Sequence, residues 1–66
     1  MNEYGLVLEP KYPDEAFEAL SDVMGDKVFT YEEGIACIED VLRIPRHEAT
    51  PRWLNLVRNG NIRELA

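Results

Sequence analysis

The alternation of apolar and polar positions divides the chain into six short segments. Tyr4, Leu6 and Leu8 fall on one side of a period-two pattern, which predicts a strand over 4–8. Pro10 and Pro13 end that pattern and open a turn. From Asp14 to Met24 the period changes. Ala16, Phe17, Leu20, Val23 and Met24 recur at helical spacing, and Asp14, Glu15, Glu18 and Asp22 are left for the wet side. Pro13 suits the first helical position, acids at 14 and 15 complement the positive end of the helix dipole, and Gly25 is a natural stop.

Val28-Phe29-Thr30 reads as a short extended piece that leads into a second helix ending near Arg43. Thr30 followed by Glu33 is a capping box, in which each side chain satisfies the other residue's free backbone donor. The apolar stripe of this helix is Ile35, Ile38, Val41 and Leu42, with Cys37 at its edge as a small half-buried hydrophobe. Ile44-Pro45 breaks the direction of the chain. A third helix ends at Asn59, with Gly60 as its stop and Ala49, Trp53, Leu56 and Val57 on its inner face. It begins either near Glu48, which puts Pro51 in the first turn, or at Arg46, which costs one backbone hydrogen bond. Asn61 to Leu65 resumes as a short strand with Ile62 and Leu65 as its apolar residues. The expected class is mainly α with a small β component, a three-helix helix-turn-helix in a single domain over 1–66.

Charge changes this picture more than composition does. The net charge is −6, but it is divided unevenly. Residues 1–42 carry eleven acids against Lys11 and Lys27, a balance of −9, whereas residues 43–66 carry five arginines against Glu48 and Glu64, a balance of +3. Every cation of the second part is arginine, the side chain best suited to bidentate contact with phosphate or guanine.

The chemistry of catalysis is missing from the pattern. The four glycines are scattered and form no phosphate loop. Cys37 and His47 are the only soft or borderline metal ligands, too few for a structural zinc site. Cys37 lies in a regular helix with no evident activator, and the adjacent acid pairs diverge around their helices. No enzyme activity, cofactor or metal is expected. The acidic start, the lack of a long apolar run and the lone cysteine predict a cytoplasmic protein with no secretory signal and no membrane span.

The stretch from Leu42 to Ile62 resembles the turn and recognition helix of winged-helix DNA-binding proteins. Leu42 ends the second helix, Ile44 follows in the turn, and Ala49 is the small residue inside the third helix. Trp53 and Leu56 are its two large apolar residues, and Gly60 and Ile62 open the following strand. The resemblance implies that the third helix enters the major groove of duplex DNA. His47, Pro51, Asn55 and Arg58 would then face outward, with Thr50 and Arg52 on the flanks. Asn55 and Arg58 are of the types that read base edges, and Arg43, Arg46 and Arg63 would contact phosphates. The chain departs from the family in three ways. Its second helix is about one turn longer, Pro51 lies early in the third helix, and a two-stranded wing cannot form after Gly60. The N-terminal strand is expected to pair with Asn61–Leu65 instead.

Two functions follow. One is a transcriptional regulator that binds double-stranded DNA through these residues, working as a homodimer because one domain offers little contact area. The other is an adaptor on the same fold whose acidic half contacts a basic protein or imitates nucleic acid. The net charge opposes long-range attraction to DNA, although a salt-rich cell interior would account for both the acids and the arginines. Arginines converging on one exposed face of the third helix would favour the regulator, and scattered or acid-paired arginines the adaptor.

Overall fold

A computed structural model describes residues 2–65. It comprises three helices and a small three-stranded antiparallel sheet, the mainly α class with a minor β component. The order is β1 (Glu3–Leu6), α1 (Glu15–Met24), β2 (Phe29–Thr30), α2 (Tyr31–Leu42), α3 (Arg46–Arg58) and β3 (Ile62–Glu64). β1 is the middle strand. It pairs with β2 through Tyr4 and Phe29, and with β3 through Gly5 and Arg63 and through Leu6 and Ile62. The N-terminal strand thus joins the C-terminal one, as the pattern predicted.

β1 stops at Leu6, and Leu8 is exposed rather than inward. The register explains this. Leu8 would face Gly60, which turns with φ 75° to close α3, so pairing runs out after the bond from the Val7 N–H to the Asn61 carbonyl. At the other end of β3 Leu65 lies over Gly5, where a Cβ would sit 3.2 Å from Leu65 Cδ1.

α1 begins two residues later than a proline at the first helical position would have it. Asp14 is the N-cap, its carboxylate accepting the Phe17 N–H at 2.9 Å, so Pro13 lies before the cap instead of at the first helical position. The capping box of α2 is complete: Thr30 Oγ1 accepts the Glu33 N–H at 3.2 Å and Glu33 Oε1 accepts the Thr30 N–H at 2.9 Å. α2 closes through Arg43, which adopts the left-handed conformation (φ 56°, ψ 50°), and through the bond from the Ile44 N–H to the Glu39 carbonyl.

The core gathers Ala16, Phe17 and Leu20 of α1, Phe29, Ile35, Cys37 and Ile38, Ala49, Trp53 and Leu56 of α3, and Ile62. Trp53 is its hub. Its ring meets Tyr4 at 5.0 Å, Tyr31 at 5.3 Å and Phe29 at 6.2 Å, each edge to face. Gly34 of α2 lies directly against the indole. Leu65, which follows β3, is exposed, and three expected core positions on the helices are not filled. Val23, Val41 and Val57 are 54%, 45% and 47% exposed. Each stands in the last turn of its helix, where helical spacing still points toward the core but the neighbouring element does not reach.

Asn61 is wholly buried where α3 turns into β3. Its Nδ2 donates to the Tyr12 carbonyl at 2.7 Å and ties the 7–14 loop to the end of α3.

Candidate functional site

α3 begins at Arg46, the earlier of the two starts, so Pro51 lies inside it and leaves the His47 carbonyl without its usual helical donor. Pro45, the residue before the helix, supplies no side-chain cap. Two contacts strengthen this weak first turn. Thr50 Oγ1 donates to the Arg46 carbonyl at 2.9 Å, and Arg46 bridges to α2 through Nη1 to Glu32 Oε2 at 3.1 Å and Nη2 to Glu39 Oε1 at 3.5 Å. A cation at a helix N-terminus opposes the dipole, and two facing carboxylates offset that. The hydrogen bond and charge of Glu32, with a smaller contribution from Glu39, push the Arg46 pKa up.

The side chains expected to read DNA are distributed as follows. His47, Pro51, Asn55 and Arg58 are all exposed on the outer face of α3, as helical spacing required. Leu54, 53% exposed, shares that face. Thr50 and Arg52 are half-buried on the flanks. Arg43 is exposed in the turn between α2 and α3, and Arg63 is exposed on β3.

The arginines of α3 do not converge. Arg46, Arg52 and Arg58 are spaced six residues apart, so at about 100° per residue each is rotated by roughly 120° from the last. They therefore project in three directions and are spread over about 18 Å of helix axis. Arg46 is directed to α2 and its acids, Arg52 is half-buried, and only Arg58 stands on the outer face. This divergence was legible in the six-residue spacing itself.

The acids behave differently. Glu15, Glu18 and Asp22 lie at i, i+3 and i+7 of α1 and share one exposed stripe. Among the described residues the only ion pairs are those of Arg46, so this stripe has no cationic partner. Beside it runs an open groove of about 490 Å³ between α1 and the end of α2. Ala19, Val41 and Leu42 form its apolar side, and no lysine or arginine lines it.

Cys37 is buried, and its thiol donates to the Ala19 carbonyl at 3.6 Å. Burial, with a smaller contribution from the Asp40 charge, pushes its pKa up, the opposite of what a nucleophile needs. Among the described residues no group of three or more metal-ligating side chains comes together, and no helix is long and apolar enough to cross a membrane. Compared with protein-family models, with curated proteins and with solved structures, the chain matches none of them.

Proposed function

We propose that the protein is a non-enzymatic interaction module that binds a protein partner through the acidic surface of α1 and α2. The divergence of the α3 arginines carries this reading. Duplex binding draws its affinity from several phosphates neutralised at once. Here one of the three α3 arginines is paired at the surface with Glu32 and Glu39, one is half-buried, and one faces outward among His47, Pro51, Leu54 and Asn55. Glu15, Glu18 and Asp22 of α1, with Glu33 and Asp40 of α2, meanwhile form no ion pair among the described residues.

Helix dipoles account for part of that acidity and not for the rest. Glu15, Glu18, Glu32 and Glu33 stand in first turns, where a carboxylate is stabilising. Asp22 and Asp40 stand in last turns that contain no basic residue, where a negative charge is destabilising by about 0.3–1 kcal/mol. Charge kept where it weakens the helix supports a role outside the fold. A winged-helix-like frame suits this reading, with α2 and α3 as the helix-turn-helix pair and the α3 face as support rather than reader.

One observation favours the second reading, a regulator that binds duplex DNA. Arg43 holds a left-handed conformation in which a non-glycine residue costs roughly 1–2 kcal/mol. An arginine kept there, in the turn between two helices, suits a phosphate contact. Fluorescence anisotropy with a labelled random duplex over a salt series separates the two. The interaction module gives no saturable binding at low salt. Saturable binding that weakens steeply with salt, and that falls on replacing Arg43, Arg58 or Arg63 by alanine, would establish the regulator instead.

A further inference from the structure

We infer that the groove between α1 and the C-terminal turn of α2 is a docking site for a basic amphipathic segment of a partner protein, with aliphatic side chains on one face and lysine or arginine on its flanks. The inference rests on the protein-binding reading above and names the surface and the chemistry of the occupant.

The groove is apolar at its centre and anionic at its rim. Val41 belongs by spacing to the inner stripe of α2, yet it is 45% exposed and opens into the groove beside Leu42 and Ala19. It is an open depression of about 490 Å³, a shape that receives side chains from one side and does not enclose a ligand. Glu15, Glu18 and Asp22 form the rim on α1. Their spacing sets Glu15 against Glu18 at i, i+3 and Glu18 against Asp22 at i, i+4, both repulsive pairs. An occupant that brought cations to this rim would relieve the repulsion while its apolar side chains covered Val41 and Leu42. An acidic or purely polar segment would do neither. The outer face of α3 offers no equivalent, since Leu54 and Pro51 there lie beside Arg58 and no acid of that face would meet a basic partner.

The test uses the whole chain, labelled with nitrogen-15, titrated with a designed helical peptide of about 15 residues that has leucines on one face and lysines and arginines on the others. A control peptide carries glutamates in place of the cations. The expected result is that the basic peptide alone binds and shifts the amides of residues 14–22 and 41–42. Affinity should fall at least about tenfold for the double substitution E18K/D22K, and by a similar factor for V41D. These side chains are on the surface, and circular dichroism checks that each variant folds. R58A should bind as the parent does. Shifts confined to β1 and β3, unchanged affinity in E18K/D22K, or no binding of the basic peptide would each overturn the groove assignment. None of these results bears on the protein-binding reading itself, which fails separately if the chain binds duplex DNA as described above.

Discussion

Replacing Gly34 by alanine should destabilise the protein, although alanine is the better helix former. Gly34 lies in the first half of α2, where glycine is less favourable than alanine by about 0.8–1.0 kcal/mol on propensity alone. A Cβ built on Gly34 would lie 2.3 Å from Cζ3 of Trp53, 3.0 Å from Cε3 and 3.1 Å from Cη2. Carbon atoms pack best at about 3.5–4.0 Å, so the indole or the helix must move by roughly 1 Å or more. The ring has little freedom to do so, because Tyr4, Phe29 and Tyr31 meet it edge to face and it is almost fully buried. Overpacking of this kind costs about 1–3 kcal/mol, and each disturbed aromatic pair adds about 0.5–1.5 kcal/mol. With one aromatic pair disturbed and net of the propensity gain, G34A should lose about 1–4 kcal/mol in urea denaturation followed by circular dichroism. The same substitution in a W53F background, where the smaller ring leaves room for the methyl group, should cost less, with a coupling of about 1 kcal/mol between the two sites. A G34A protein as stable as the parent, with no coupling to Trp53, would refute the packing of α3 on α2 described here.

Caps, surface charge and the buried thiol each give further outcomes. Thr30→Ala removes the capping hydroxyl of α2 and should cost about 1 kcal/mol by urea denaturation. Arg43→Gly should instead raise stability by roughly 1 kcal/mol, measured in the same way, because glycine adopts φ 56° without penalty. The unpaired acids of α1 and α2 predict a melting temperature that rises as sodium chloride is added, and a fall would contradict the charge distribution. Cys37 should resist alkylation at neutral pH until the protein unfolds. Because its pKa is higher in the folded state, its contribution to stability is full below the ordinary thiol pKa and is lost as pH rises through the folded one. Cys37→Ser should flatten that alkaline loss in a pH series of denaturation curves.

Local chemistry was the most legible part of the sequence. The capping box at Thr30 and Glu33 and the stop at Gly60 need only neighbouring residues, whereas the pairing of the two terminal strands followed from the last strand's need for a partner. What the period does not contain is where an opposing element ends, and so it places Val23, Val41 and Val57 in a core that does not extend to them. The setting of Trp53 was also beyond local reading, because its ring partners come from β1, β2 and the start of α2. A glycine inside a strong helical pattern, where it costs about 1 kcal/mol against alanine, was the available signal for Gly34. Of the candidate site, the exposure of His47, Asn55 and Arg58 followed from spacing, whereas the bridging of Arg46 to Glu32 and Glu39 depends on how α3 packs against α2.

The central claim is that the acidic half of the molecule, and not its arginines, is the working surface. The most direct measurement is a paired anisotropy titration at one low ionic strength, with labelled random duplex DNA in one series and the labelled basic amphipathic peptide in the other. The account predicts saturable binding of the peptide and none of the duplex. Saturable binding of the duplex with none of the peptide would contradict it and return the function to α3 and its arginines.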